Sequence, residues 1–173
     1  MVRGRRNPSH FGFAARLRRA RKAGNDSRSR LTQRAGLLDG KAVLLLEQGQ
    51  RIPRLDTVER VAYALGLSPA LLAYGIEADS CQQAEGLRCE GVGSRLRETR
   101  AAQGLSVLAL ATAAGLSHTA VGNVERGTMP TIATAESLAI ALGVSPGWLA
   151  YALGPMELPG RRRVAALPEP SLG

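Results

Sequence analysis

Basic side chains are the most prominent chemically active groups in this sequence of 173 residues, which has 23 Lys and Arg, 14 Asp and Glu, and a net charge of +9. The first 34 residues hold eleven of the basic residues and a single acidic one, Asp26. A strongly basic chain usually meets a polyanion, most often nucleic acid. A solvated arm would have the same composition, so charge favours nucleic acid without deciding for it.

The side chains that carry out acid–base, nucleophilic or metal chemistry are sparse. The histidines are His10 and His118, and the cysteines are Cys81 and Cys89. No Ser–His–acid arrangement, metal-ligand cluster or Gly-rich phosphate loop occurs at a useful spacing. We therefore predict a protein that is not an enzyme, with no catalytic residue, no metal and no cofactor. The two cysteines could form a local disulfide or respond to oxidants, but two free thiols are the favoured interpretation.

Composition also limits the class of protein. No apolar run approaches the roughly 18 residues needed to span a bilayer. The basic start is not followed by the long apolar stretch of a secretory signal, so we expect a cytoplasmic protein without a membrane span. Only 3% of the residues are aromatic, and few β-branched runs occur, which argues against a β-sandwich or barrel.

An internal repeat defines the organisation of the chain. The segments 57–74 and 134–151 are identical at eleven of 18 positions, at an offset of 77. Upstream segments match as well, at offsets of 78 and 79. The sequence therefore predicts two copies of one module. The predicted parts are a basic arm at 1–12, a first domain at 13–75, an acidic linker at 76–92, a second domain at 93–154 and a basic, Pro-containing tail at 155–173.

Helix start and stop signals are clearest in the second copy. Ser and Thr bind free amides at helix starts, Gly accepts positive φ at helix ends, and Pro is tolerated at the first helical position. On this basis helices are predicted to begin after Ser94, Ser106, Ser117, Thr131 and Ser145, and to end near Gly104, Gly115, Gly127 and Gly143. The fold class is therefore all-α, with two tandem five-helix domains.

Apolar spacing predicts which side chains form the core of the second copy. The predicted core is Leu96, Leu105, Leu108, Ala111, Leu116, Val121, Val124, Leu138, Leu142, Trp148 and Leu149.

The second and third helices of this copy are joined by a four-residue connection containing Gly, which is typical of a helix-turn-helix. The pattern reads Leu105-Ser106-x-x-x-Leu110-Ala111-x-x-x-Gly115-Leu116-Ser117-x-x-x-Val121-x-x-Val124-Glu125-Arg126-Gly127. It resembles the Xre/Cro-type phage-repressor family of DNA-binding domains over nearly all of 93–154.

The resemblance implies that the third helix enters the major groove of double-stranded DNA with its N-terminal residues facing base edges. The base-contacting candidates are then His118, Thr119, Gly122 and Asn123. Asn can bond adenine bidentately, Thr offers a hydroxyl and a methyl, and His makes one bond. Each polar residue could instead be ordinary exposed surface. Val107 stands where the family commonly has a phosphate-binding Gln.

The first copy is degenerate, with a helix-turn-helix predicted from Ser27 through Gly36 and a third helix that restarts at Asp39. Leu44 and Leu45 align with Gly122 and Asn123, and at most they read thymine methyl groups. Three consecutive leucines at 44–46 cannot all face inward on one helix. We therefore expect at least one to be exposed, and Leu44 and Leu45 are candidates for a protein contact.

The first copy carries most of the charge, +7 in residues 13–75 against +1 in residues 93–154. Phosphate contacts give affinity without sequence information. The predicted phosphate ligands are Arg16, Arg18, Arg19, Arg21, Lys22, Arg28, Arg30, Lys41, Arg51, Arg54, Ser106 and Arg126.

The sequence as a whole indicates a tandem helix-turn-helix transcription regulator that reads DNA mainly through the third helix of the second copy. The alternative is a protein-interaction module of antitoxin or anti-regulator type, in which the apolar third helix of the first copy binds a protein. We expect a homodimer. An internal pseudo-dimer, with segment 69–74 packed on segment 146–151, is the competing arrangement.

Overall fold

A computed structural model describes residues 8–78, which we call the first half, and residues 86–158, which we call the second half. The described residues are all-helical, with ten α-helices and a short 3-10 helix before α1 and before α6. The helices of the first half are α1 (Phe13–Ala23), α2 (Arg28–Arg34), α3 (Ala42–Glu47), α4 (Leu55–Leu65) and α5 (Pro69–Tyr74). Those of the second half are α6 (Val92–Ala102), α7 (Val107–Ala114), α8 (His118–Glu125), α9 (Ile132–Leu142) and α10 (Pro146–Tyr151).

Most of the predicted helix boundaries are found in the structure. The hydroxyls of Ser106, Ser117 and Thr131 accept hydrogen bonds from the amides of Ala109, Ala120 and Thr134, as N-terminal caps do. Gly115 and Gly143 end α7 and α9 in the left-handed region, with φ of 67° and 71°. Pro146 is at the start of α10 behind Ser145, although the Ser145 hydroxyl makes no capping bond.

The predicted start of α6 was wrong. Ser94 lies inside the helix, which begins at Val92 with Gly91 as its cap. The reason is tertiary, since the 3-10 helix Arg88–Gly91 leads directly into α6. The free amides of Arg88 and Cys89 are bound by the carboxylate of Glu59 in the first half.

Two further predictions need correction, one about core packing and one about the start of α3. Leu108 was placed in the core but is 65% exposed, whereas Leu110 is fully buried. Leu110 and Ala111 form the inward face of α7, and Leu108 lies on its outer side. In the first half, α3 begins at Ala42 rather than directly after Asp39, because the Asp39 carboxylate binds the amide of Lys41 in a turn before the helix.

Parts of the predicted arm and linker belong to the packed structure. Residues 9–12 form the first 3-10 helix and residues 88–91 the second. Cys89 is a free thiol and fully buried. Arm residues 1–7, linker residues 79–85 with Cys81, and tail residues 159–173 lie outside the described residues.

The two halves pack against each other through α5 and α10, with further contacts from the 3-10 helices. The connections before α4 and α9 pair in antiparallel fashion at Arg54 and Thr131. The amide of Leu55 donates to the carbonyl of Pro130, and the amide of Ile132 donates to the carbonyl of Pro53, both at 3.0 Å. Arg54 and Thr131 are 77 positions apart, which is the offset of the sequence repeat.

Two buried carboxylates, also 77 positions apart, make equivalent hydrogen bonds across the contact between the halves. Glu59 accepts hydrogen bonds from the amides of Arg88 and Cys89, at 2.7 and 2.9 Å. Glu136, 77 positions later, accepts from the amides of Ser9 and His10, at 2.6 and 3.0 Å. Each half therefore supplies a buried acid that binds the first 3-10 turn of the other half.

Among the described residues, no single helix is long and apolar enough to cross a membrane. Taken together, α7 and α8 would be long and apolar enough, but the two helices are bent by 115° at the turn that joins them.

Candidate nucleic-acid interface

The connection between α7 and α8 has the geometry of a helix-turn-helix. The two helices meet at 115°, and such pairs cross at about 90–120°. Gly115 provides the left-handed residue that reverses the chain, and Ser117 caps α8 two residues later. The amide of Leu116 donates to the carbonyl of Ala111 at 2.9 Å, which completes the turn.

The outer face of α8 collects the residues predicted to contact bases. Val121 and Val124 are buried, so the opposite side of the helix faces outward. His118 and Thr119 are exposed there, and Gly122 and Asn123 are half-buried. The structure thus brings the four candidates together on the first two turns of one helix.

A basic side chain covers part of this face. Nη2 of Arg126 donates to Oδ1 of Asn123 at 2.6 Å. A Cβ atom at Gly122 would lie 3.2 Å from Nη1 of Arg126, so the guanidinium lies along the helix surface where residue 122 has no side chain. Arg126 was predicted as a phosphate ligand, and its bond to Asn123 was not foreseen.

The end of α8 is fixed to α6 by charge-assisted hydrogen bonds. Arg100 donates to both carboxylate oxygens of Glu125, at 2.6 and 3.0 Å. Arg97 donates to the carbonyl of Glu125 at 2.7 Å. Bidentate Arg–carboxylate pairs are specific in direction as well as favourable in energy. The pair therefore holds α8 at a defined angle to the rest of the half.

The first half has the same Arg–Glu hydrogen bonds at equivalent positions. Arg21 donates to both oxygens of Glu47 at 2.6 and 3.3 Å, and Arg18 donates to the Glu47 carbonyl at 2.7 Å. Arg28 adds a bond to Glu47 at 2.7 Å. Burial raises the pKa of Glu47, but the bonds and charges of Arg21 and Arg28 outweigh burial, so the net pKa is lowered.

Helix α3 presents a different face from α8. Val43 and Leu46 are buried like Val121 and Val124, while Leu44 and Leu45 are half-buried. The leucines at 44–46 do not all face inward, as expected, but Leu44 and Leu45 are partly rather than fully exposed. Leu38, in the turn between α2 and α3, is the fully exposed leucine.

Two of the predicted phosphate ligands are used inside the protein. Arg16 is half-buried, and its guanidinium donates to the carbonyls of Leu72 and Ala73 at the end of α5. Desolvation by burial lowers its pKa, against the opposing effect of Glu136. Arg21 is 9% exposed and is held by Glu47. We do not retain these two residues as phosphate ligands.

The remaining phosphate candidates lie at the surface. Exposed positions are Arg18, Arg19, Lys22, Arg28, Arg30, Lys41, Arg51, Arg54, Ser106 and Arg126. Among these, Arg18 and Arg28 also bind Glu47, and Arg126 also binds Asn123. Arg51 and Arg54 approach Asp39 and Asp56 at 3.8 and 3.5 Å. Such exposed pairs contribute little to stability and leave the side chains available.

The contact between segments 69–74 and 146–151 was considered from the sequence, but the buried glutamates that join the halves were not foreseen. Glu59 and Glu136 bind backbone amides across the contact between the halves, and they belong to matching positions of the repeat. Arg16 and Arg95 also match, and each binds the carbonyls at the end of the last helix of its own half. The signal available in the sequence was the identity of Glu59 and Glu136 in the repeat. Among the described residues, no cluster of three or more His, Cys, Asp or Glu is arranged to hold a metal ion.

Comparison with known families agrees with this geometry. Residues 96–149 match the family model HTH_3, described as helix-turn-helix. This family consists of DNA-binding regulators that are generally not enzymes. The match covers α7, the turn and α8, and it does not include residues 13–75. No curated protein and no solved structure matches the chain.

Proposed function

We propose that this protein is a sequence-specific transcription regulator that binds double-stranded DNA with two tandem helix-turn-helix domains joined as an internal pseudo-dimer. The observation that carries the proposal is the α7–turn–α8 geometry within the matched segment 96–149. The outward side of α8 is polar and accessible, as a helix that reads bases in the major groove must be.

The tandem arrangement is supported by equivalent contacts in both halves. Glu47 and Glu125 have the same arginine partners at matching positions, and these contacts fix α3 and α8 in the same way. In the first half, Gly36 has φ of 62° after α2, at the position where Gly115 ends α7. The first half therefore has the framework of a helix-turn-helix with an apolar helix in the place of the reading helix.

The first half binds mainly phosphates, and the second half contacts bases. The first half supplies exposed basic residues around α2 and α3, including Arg30, Lys41 and Arg51, which attract the phosphate backbone irrespective of sequence. The second half is nearly neutral and supplies His118, Thr119 and Asn123 for reading bases. DNA bound in this way has one half-site of defined sequence and a second half-site held through its backbone.

One chain is sufficient for this arrangement. The α5–α10 contact and the Arg54–Thr131 pairing relate the halves in the manner of a two-fold dimer. The geometry favours the internal pseudo-dimer over the homodimer that the sequence suggested. The proposal places the protein with its DNA in the cytoplasm.

A protein-binding role for the first half is the second candidate. It is supported by the half-buried Leu44 and Leu45 on α3 and by Leu38, which is fully exposed in the adjoining turn. These residues stand at or beside the positions that would face bases in a reading helix. An antitoxin or anti-regulator would use such a surface to bind a protein in place of DNA.

Selection of DNA from a random pool by the purified full chain tests the main proposal. The expected result is enrichment of a motif bound more tightly than random DNA. Thr119→Ala and Asn123→Ala should each weaken that binding by about 1–3 kcal/mol and affect random DNA much less.

Leu45→Ala is the matched control, because Leu45 is at the position equivalent to Asn123, and it should leave base discrimination unchanged. If no motif is enriched, the main proposal is wrong. Equal losses on specific and random DNA would remove Thr119 and Asn123 from the reading role.

A further inference from the structure

The hydrogen bond between Arg126 and Asn123 limits what Asn123 can read. Asn side chains that recognise adenine use the amide oxygen as acceptor and the NH₂ group as donor together. Here Oδ1 of Asn123 accepts from Nη2 of Arg126 at 2.6 Å. One of the two lone pairs of the amide oxygen is thereby engaged within the protein, so an adenine would have to share this oxygen with Arg126.

Gly122 leaves room for this contact. A Cβ at residue 122 would lie 3.2 and 3.6 Å from the two terminal nitrogens of Arg126. Without a side chain at 122, the guanidinium can lie back along α8 and reach Asn123 one turn away. The first half has Leu44, Leu45 and Gln48 at the three equivalent positions, so it cannot form this pair.

Together the two side chains present more hydrogen-bond donors than free acceptor lone pairs. Arg has five N–H donors and no acceptor, and the Asn123 NH₂ group adds two more. In the major groove, guanine displays two acceptors, N7 and O6, while adenine displays one acceptor, N7, and an NH₂ donor. Cytosine displays an NH₂ donor and thymine a single acceptor, O4. A surface with an excess of donors matches the two acceptors of guanine better than the mixed edge of adenine or the NH₂ of cytosine.

We propose that Asn123 and Arg126 act as one unit that reads guanine in the half-site contacted by α8. This inference rests on the proposed DNA-binding function. It replaces the adenine preference that Asn123 alone would predict, and it makes Arg126 a specificity-determining residue where the sequence indicated a phosphate ligand.

The test compares DNA selection by the full-length wild type, Asn123→Ala and Arg126→Ala. The position whose base preference changes in Asn123→Ala identifies the base pair that the unit contacts. The wild type should select guanine there. Arg126→Ala frees Oδ1 of Asn123, so its preference at that position should move to adenine, with guanine discrimination falling by roughly 5- to 150-fold.

Gln48→Ala is the control, because Gln48 is at the position of the first half that corresponds to Arg126. It should leave the selected motif unchanged. Arg126 is exposed and the hydrogen bond described for its side chain is to Asn123. Its backbone amide still binds the carbonyls of Gly122 and Asn123 in the variant, so Arg126→Ala should keep the thermal midpoint of the wild type. Arg126→Met, which keeps the apolar stem and removes the donors, is the second variant and should show the same change in preference.

Three outcomes would overturn the inference. Wild-type selection of adenine at the mapped position would show that Asn123 reads without Arg126. A uniform loss of affinity for all bases in Arg126→Ala would make Arg126 a phosphate ligand. In both cases a motif is still enriched, so the proposed function stands. Absence of any enriched motif in the wild type would overturn the proposed function and this inference together.

Discussion

Tyr74 and Tyr151 make the same hydrogen bond in opposite directions across the contact between the halves. The hydroxyl of Tyr74 donates to the carbonyl of Ile132 at 3.1 Å, and that of Tyr151 donates to the carbonyl of Leu55 at 3.4 Å. Donors and acceptors are each related by 77 positions. Both rings are buried, so each half inserts an aromatic side chain beneath the first turn of a long helix in the other.

Removal of either hydroxyl should destabilise the protein. Tyr74→Phe and Tyr151→Phe each delete a buried donor, and we expect each to lower the free energy of unfolding by about 0.5–1.5 kcal/mol. Urea denaturation followed by circular dichroism measures the change. No change in either variant would mean that these hydroxyls do not hold the halves together.

Alkaline pH should destabilise the folded chain. Burial raises the pKa of Tyr74 and Tyr151 well above the ordinary value, and burial together with Glu59 raises that of Cys89. A group whose pKa is higher in the folded chain than in the unfolded chain stabilises the folded chain. This stabilisation is fully present below the unfolded-state pKa and is lost as the pH rises through the folded-state pKa.

The loss should therefore begin near pH 8.5 for the thiol and near pH 10 for the phenols. Unfolding free energies measured from pH 7 to 11 test this, and Tyr74→Phe should show a shallower decline above pH 10. A flat profile over this range would contradict the burial of these groups.

The thiol of Cys89 should resist modification in the native protein. It is fully buried beside Glu59, and its raised pKa keeps it as the unreactive thiol. In a Cys81→Ser variant, where Cys89 is the remaining thiol, a thiol-reactive chromogen should label the folded chain slowly and the urea-unfolded chain fast. Rapid labelling of the folded chain would show that the contact between the halves opens readily.

Exposed basic residues and the half-buried Arg16 should differ in their effect on DNA binding. Lys41→Gln should reduce the slope of log affinity against log salt by about 0.9, the value for one lost phosphate contact. Arg60→Gln, an equal charge change on the exposed part of α4, is the control and should leave the slope unchanged.

Arg16→Gln should behave differently from both. It removes hydrogen bonds to the end of α5, so it should lower the unfolding free energy by about 1–3 kcal/mol while the salt slope stays constant. A reduced slope in Arg16→Gln at unchanged stability would return Arg16 to the set of phosphate ligands.

The chain should be a monomer in solution. Light scattering at micromolar concentration should give 18.2 kDa, and one chain should bind each DNA site, because the internal contact already pairs the two halves. Twice that mass, reverting to one chain in a Leu44→Ser, Leu45→Ser variant, would instead support a homodimer formed through α3.

The sequence alone determined the local structure of the second half. Ser106, Ser117 and Thr131 cap helices because their hydroxyls bind amides three residues away, and Gly115 ends α7 because Gly tolerates positive φ. These interactions span a few residues, so spacing in the sequence is sufficient to find them. The helix-turn-helix of 96–149 follows from the same local signals.

Only the tertiary structure decided which charged side chains are available and how the halves meet. Arg16 and Arg19 lie on the same helix and look alike in the sequence, but Arg16 binds carbonyls 56 and 57 residues away while Arg19 is exposed. Ser94 failed as a cap because Glu59, 30 residues before Cys89, binds the turn that precedes α6. Partners this distant in sequence are brought together by packing, so the spacing of neighbouring residues does not predict them.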